Sequence, residues 1–111
     1  MAIKDLSFVN THLFLCNGGT CKSRGAEDST RIIRESISNL GLDLSVHTTK
    51  TLCNGRCKDG PIVIAQPQDL WFREINPGIA GEFINNFLVN NSTSADQVLF
   101  SYTDRKLNTT I

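Results

Sequence analysis

The sequence lacks any excess of charge. Its 111 residues include eleven Lys and Arg and eleven Asp and Glu, so the formal net charge is zero. A neutral chain has no overall attraction to nucleic acid or to an anionic membrane surface. The chain also has no apolar run long enough to span a bilayer. These absences predict one globular domain with neither nucleic-acid nor membrane partners.

The N-terminal region lacks the features of a secretory signal. Its apolar residues between Phe8 and Cys16 are interrupted by Asn10-Thr11-His12, and neither a basic leader nor a small-residue cleavage site accompanies them. Thiols that stay in the reducing cytoplasm bind metal more readily than they form permanent disulfides. The sequence therefore predicts a cytoplasmic protein.

Recognisable catalytic patterns are missing too. Ser, His and Asp residues occur without the spacing of a nucleophile and its base. A redox-active dithiol is expected as C-x-x-C at the start of a helix, and the chain has no such motif. We therefore expect a protein that is not an enzyme.

What the sequence does contain is two cysteine pairs. Cys16 and Cys21 form a C-x4-C motif, Cys53 and Cys57 form a C-x3-C motif, and these are the only cysteines. Each pair lies in a stretch rich in Gly, Asn or Thr that follows an apolar run. This pattern is typical of loops that leave the ends of strands. We expect the four sulfurs to converge on one site.

Three kinds of site accept four such sulfurs. Structural zinc usually requires C-x2-C spacing, which neither pair has. Two disulfides suit a small secreted scaffold, whereas this chain has enough apolar residues to form a core without them. A [2Fe-2S] cluster is larger and takes two thiolates on each iron, so it accommodates wider loops. The spacing favours a [2Fe-2S] cluster bound by Cys16, Cys21, Cys53 and Cys57, with zinc, disulfides or free thiols as the alternatives.

The hydrophobic pattern predicts an α/β fold. Strand and helix signals alternate in the order strand, helix, strand, strand, strand, helix, which indicates a four-stranded mixed sheet with two main helices. A lead-in covers residues 1–10, the domain covers 11–90, and a tail covers 91–111, in which residues 98–102 form an edge strand or a dimer arm. The predicted elements are strands at 12–16, 42–47, 62–65 and 70–73, one helix capped by Ser23 and ending near Gly41, and a second helix capped by Asn76.

The cysteine motifs resemble those of a known family. C-x4-C followed by C-x3-C, with Pro61 four residues past the last cysteine, is similar to the thioredoxin-like [2Fe-2S] ferredoxins. This family includes free-standing dimeric ferredoxins and the small iron–sulfur subunit of respiratory NADH dehydrogenases and related hydrogenases. The similarity covers residues 12–88, because the Pro67 turn, the Trp71-Phe72 strand end and the Pro77-led helix also resemble the free-standing members.

The resemblance implies a thioredoxin-like fold and a one-electron carrier. Cys16 and Cys21 would hold one iron, and Cys53 and Cys57 the other. The implied partner is a redox protein of the reductase, dehydrogenase or hydrogenase type, and a homodimer is one assembly that the family allows. The alternative function is a metal-binding module that does not shuttle electrons, either a zinc-stabilised interaction domain or an iron–sulfur sensor or assembly factor.

Basic residues are concentrated around the cysteine motifs. In the simplest interpretation, they are ordinary solvated side chains on surface loops. Alternatively, they offset the negative charge that a cluster gains on reduction and form a docking face for an acidic partner surface. The residues concerned are Lys22, Arg24, Lys50, Arg56 and Lys58, against Asp59 alone.

Overall fold

A mixed β-sheet is the frame of the fold. The computed structural model describes residues 4–107, apart from the side chain of Cys57. The strands are β1 (Thr11–Cys16), β2 (Val46–Thr51), β3 (Val63–Gln66), β4 (Leu70–Phe72), β5 (Val98–Ser101) and β6 (Lys106–Leu107), in the spatial order β2-β1-β3-β4-β5-β6.

Three α-helices accompany the sheet. They are α1 (Gly19–Ser23), α2 (Ala26–Asn39) and α3 (Pro77–Ile84), and α3 continues as a π-helical turn over Asn85–Val89. Short 3-10 turns cover Leu6–Phe8 and Cys57–Asp59. Within residues 4–107, no helix is long and apolar enough to cross a membrane.

The strand pairing agrees with the predicted α/β class. β1 and β2 are parallel and are joined through α2, whereas the other neighbouring strands are antiparallel. The predicted number of elements was wrong, because the described chain has six strands and three α-helices. α1 has only five residues, too few to show a hydrophobic period, and β6 has only two. β5 comes from the segment predicted as a tail and pairs with β4.

The main core lies between the sheet and helices α2 and α3. Alternate residues of the central strands face it, including Leu13, Ala65 and Phe72, all fully buried. Phe72 contacts the rings of Phe83 and Phe87 edge to face, with centroids 4.8 and 5.1 Å apart. The aromatic residues of α3 and of its π-helical extension are therefore part of the core.

Two predicted boundaries were wrong. Ser23 does not cap α2, because its hydroxyl donates to the Thr20 carbonyl (2.7 Å) within α1. α2 instead follows Gly25, whose φ of 92° lies in the left-handed region that glycine tolerates. The strand predicted from residue 42 starts only at Val46, since the N–H groups of Ser45 and Val46 both donate to the Leu42 carbonyl and form a turn.

The start of α3 matches its prediction. The Asn76 side chain accepts a hydrogen bond from the Gly78 N–H at 3.0 Å, and Pro77 occupies the first helical turn. The division of the chain at residues 10 and 90 stays a prediction, and its residues 1–3 and 108–111 lie outside the described part.

Candidate metal centre

The first cysteine loop brings two sulfurs together at the end of β1. Cys16 is the last residue of the strand, and α1 turns the chain back so that Cys21 faces it. Both side chains are buried. The Cys21 thiol lies 3.4 Å from the Cys16 sulfur and donates to it. This is the predicted first pair, assembled by one short helical turn.

The parallel pairing of β1 and β2 places the second loop beside the first. Cys16 is in register with Thr51, so the residues after β2 leave the sheet at the same edge. The Asn17 N–H donates to the Thr51 carbonyl at 2.8 Å, and the Cys16 thiol donates to the Leu52 carbonyl at 3.4 Å. Cys53 therefore lies at the same edge of the sheet as the first cysteine loop.

The second loop folds around the Cys53 sulfur. The Gly55 N–H donates to this sulfur at 3.3 Å, and Gly55 has a φ of 86°, as expected for a glycine between the two cysteines. Cys53 is exposed, unlike the first pair. The backbone of Cys57 starts the 3-10 turn that follows, and the Cys57 side chain lies outside the described part.

Asn54 joins the two loops through its amide. Its side-chain nitrogen donates to the Thr51 hydroxyl (2.7 Å) and to the Leu52 carbonyl (3.2 Å), holding the turn before Cys53 in shape. Burial raises the pKa of the Cys16 thiol, but hydrogen bonds from Gly18, Asn54 and Cys21 lower it more, so the pKa lies below its ordinary value. The thiolate is the form that binds metal, and this environment favours it.

The sulfur geometry fits a chelating pair. Two sulfurs on one tetrahedral ion, with bonds of about 2.3 Å, are separated by roughly 3.8 Å. The separation of Cys16 and Cys21 is close to this value. A disulfide would require about 2.05 Å. The residues present therefore fit thiolate ligation.

Among the described side chains, which do not include that of Cys57, no three His, Cys, Asp or Glu residues are grouped closely enough to hold one metal ion.

The basic residues around the loops differ in their partners. The Arg56 guanidinium makes a two-point contact with Asp59 at 2.6 and 3.0 Å, and Lys22 lies 3.4 Å from Glu27. Arg24 donates to the Lys58 carbonyl at 2.7 Å and so braces the second loop from the first. Within residues 4–107, the side chains of the exposed Lys50 and Lys58 form no ion pair.

The two histidines lie away from the cysteine loops. The His12 ring stacks on Phe14 with centroids 4.0 Å apart, and its Nε2 is 2.7 Å from the Thr49 hydroxyl. His47 lies against it at 4.9 Å. Both histidines therefore lie within strands of the sheet and outside the cysteine loops.

Sequence reasoning missed the residues that shape the loops. Asn17 is buried and donates to the Leu15 carbonyl and the Thr30 hydroxyl, both at 3.1 Å. Gly18 packs against the backbone of Cys53. The Asn-Gly that follows both Cys16 and Cys53 was the available signal, because the same dipeptide recurs after the first cysteine of each pair.

Relatives of this chain are found among iron–sulfur proteins. A Priestia megaterium protein assigned as a 2Fe-2S ferredoxin is 34% identical over 98 residues, which cover 88% of this chain and 76% of that protein. A 2Fe-2S ferredoxin from Clostridium pasteurianum is 26% identical over 87 residues, covering 71% of this chain and 85% of that protein. No family model matches the chain.

Solved structures show the same fold. The thioredoxin-like [2Fe-2S] ferredoxin from Aquifex aeolicus superposes with a TM-score of 0.73 at 22% identity, covering 82% of this chain and 91% of that chain. A 1.5 Å crystal structure of the wild-type Aquifex protein gives the same score over 82% of this chain and 97% of that chain. The predicted thioredoxin-like architecture is confirmed by this likeness.

Proposed function

Because this chain belongs to the thioredoxin-like [2Fe-2S] ferredoxin family, we propose that it is a one-electron carrier and not an enzyme. The cluster supplies the one-electron chemistry, and the protein controls access and docking. The observation that carries the proposal is the buried sulfur pair of Cys16 and Cys21, 3.4 Å apart, beside the loop of Cys53. Cysteines that bind metal suit the reducing cytoplasm, where we place the protein.

The proposed ligands are Cys16 and Cys21 on one iron, and Cys53 and Cys57 on the other. Burial of the first pair keeps water from that side of the site. The second loop is open, since Cys53 is exposed and the neighbouring Leu52 side chain is 82% exposed. Electrons are therefore expected to pass through the second loop, where a partner can come closest.

Iron and sulfide analysis tests the cluster. Protein purified without oxygen should be red-brown and contain about two irons and two acid-labile sulfides per chain. Cys57→Ser should lose cluster content much more than it lowers the stability of the fold, because it removes a proposed ligand while replacing only one sulfur atom by oxygen. A colourless zinc protein, or one that refuses iron and sulfide on reconstitution, would overturn the proposal.

The partner is proposed to be a redox protein with an acidic contact surface. Arg56 is offset by Asp59 and Lys22 by Glu27, so the attraction depends mainly on Arg24 and the exposed Lys50 and Lys58. These cations lie in or next to the loops that carry the ligands. They stabilise the extra negative charge of the reduced state and attract an anionic surface to the site.

Oxidation of the reduced protein by hexacyanoferrate(III), an anionic one-electron oxidant, measures this local field. The second-order rate should fall as salt rises from about 10 to 200 mM, because screening weakens the attraction. Lys50→Glu should flatten this dependence. Lys106→Glu, the same charge change in β6 at the other end of the sheet, is the control. A wild-type rate independent of salt would contradict an electropositive docking face.

A homodimer is also proposed, through the sheet face that α2 and α3 leave uncovered. One row crosses all six strands on this face and has no charged member: Thr49, Phe14, Ile64, Trp71, Phe100 and Leu107. The Trp71 indole N–H is buried there with no hydrogen-bond partner within the described residues. A second copy would present the same uncharged apolar surface and could supply an acceptor.

A further inference from the structure

The two cysteine loops touch each other at Gly18. A Cβ atom built on Gly18 would lie 2.8 Å from the Cα of Cys53 and 2.9 Å from its Cβ and its backbone nitrogen. Non-bonded carbon atoms normally stay about 3.5–4.0 Å apart. All three atoms belong to the backbone or to the root of the side chain, so no rotamer change relieves the clash. A side chain at position 18 would therefore displace one loop by about 1 Å.

The first loop cannot readily absorb that displacement. The Gly18 carbonyl accepts a hydrogen bond from the Lys22 N–H at 2.9 Å. The neighbouring Asn17 N–H is bonded to the Thr51 carbonyl at 2.8 Å. A shift of Gly18 breaks these bonds. The alternative is a shift of the Cys53 backbone, and hence of its sulfur.

Space, and not backbone conformation, demands glycine here. Gly18 has φ −64° and ψ 169°, an extended conformation that any residue adopts. The adjacent Gly19 has no atom within 4 Å of its built Cβ. Of the two consecutive glycines, only Gly18 is in a position where an added Cβ would contact Cys53.

We propose that Gly18 is a positioning residue that sets the distance between the two cysteine loops and so determines how firmly they hold their shared cluster. The inference rests on the proposed function and adds a residue to it. Gly18 acts through Cys53: the absence of a side chain lets the second loop close onto the first. Loop spacing then influences the cluster's retention and its electronic environment, as groups behind metal ligands generally do.

Three alanine variants of the full-length protein test this. Gly18→Ala introduces the clash with Cys53, and Gly19→Ala is its neighbour in open space. Gly25→Ala introduces a clash of similar size, 2.8 Å from Pro77 Cδ and Cγ, but at the contact between α2 and α3. It also strains a φ of 92°, so it serves as a destabilised control whose clash does not involve Cys53.

Cluster retention is measured as the rate of bleaching by an iron chelator, together with the reduction potential and the EPR spectrum of the reduced protein. Gly18→Ala should release its cluster at least about tenfold faster than wild type and shift the potential and the EPR spectrum. The cluster release rate of Gly19→Ala should stay within about twofold of the wild-type rate. Gly25→Ala should unfold at lower urea concentration but keep the wild-type potential and EPR spectrum.

A second measurement does not need the cluster. In metal-free protein, the amide NMR resonance of Cys53 should move in Gly18→Ala and stay in place in Gly19→Ala. Equal spectra and release rates for wild type and Gly18→Ala would overturn the inference while leaving the electron-carrier function intact. Gly18→Ala that fails to fold while Gly25→Ala folds would also overturn it, since the role would then be general stability. A wild-type chain that binds no iron would instead overturn the proposed function.

Discussion

At the level of single residues, the Cys16 sulfur is distinguished by its hydrogen bonds and its burial. It receives hydrogen bonds from Gly18, Asn54 and Cys21, and its side chain is only 3% exposed. Hydrogen bonds to ligand sulfurs and low solvent exposure are two of the factors that set the potential of an iron–sulfur cluster. The contrast with the exposed Cys53 gives the two proposed iron sites unequal surroundings.

The His12 ring provides a residue-scale prediction of pH dependence. Burial lowers the pKa of His12, and repulsion from His47 lowers it further, while its neighbours Phe14, Thr49 and Gln66 are uncharged. An NMR titration should therefore place the His12 midpoint below 6.5. His47→Gln should raise the midpoint without restoring it, because the larger cause, burial, remains. A His12 midpoint at or above 6.5 in wild type would show this account to be wrong.

The sign of the effect on stability follows from linkage. With a pKa lower in the folded state, the unfolded chain binds the proton more tightly as the pH falls through about 6.5. Protonation of His12 therefore favours unfolding. The free energy of unfolding should decrease as the pH drops through this window, and it should decrease less in His12→Gln.

At the level of elements, β5 links the C-terminal segment to the cysteine loops. Leu99 is fully buried in a second apolar cluster with Cys16, Cys21 and Ile62. The strand β5, which lies outside the predicted domain of residues 11–90, therefore contributes to the apolar cluster that includes the first cysteine pair. The connection explains how a change in β5 reaches the proposed metal centre without touching a ligand.

Leu99→Ala tests that link. Removing a fully buried leucine side chain should lower the free energy of unfolding by about 2–5 kcal/mol. Because Leu99 belongs to the same apolar cluster as Cys16 and Cys21, cluster loss should accelerate as well. Urea unfolding and chelator-driven bleaching measure the two effects. Leu44→Ala, at a side chain 68% exposed in the turn before β2, is the control and should change neither.

At the scale of the whole molecule, the two faces of the sheet are treated differently. α2 and α3 cover one face and bury the main core, while the cross-strand row from Thr49 to Leu107 lies on the other. In the proposed dimer this row is the interface. Phe100→Lys should place a charge within this row and yield a monomer, because burying an unpaired ammonium is costly. Sedimentation velocity distinguishes the monomer from the dimer.

The control for the dimer variant is Leu44→Lys, which adds the same charge in the turn before β2. It should leave the sedimentation coefficient unchanged. A wild-type chain that sediments as a monomer at high protein concentration would contradict the proposed assembly, and both variants would then behave alike.

Local patterns predicted a good part of this architecture. The strand before Cys16 and the Asn76 cap depend on neighbouring residues, so the sequence alone was sufficient for them. The Ser23 cap and the early start of β2 were wrong because competing hydrogen bonds within α1 and within the turn after Leu42 decide those boundaries. Such competition is not visible in a hydrophobic pattern.

By itself, the sequence determined which chemical groups are available. These are four thiols in two wide motifs, with turn-forming residues between them and basic residues around them. Only the tertiary structure decided which atoms meet. The register of Cys16 with Thr51 brings the two loops to one edge, the contact of Gly18 with Cys53 sets their spacing, and Asp59 offsets Arg56. The physical reason is that distances between residues far apart in the chain are set by strand pairing and close packing, which no local stretch encodes.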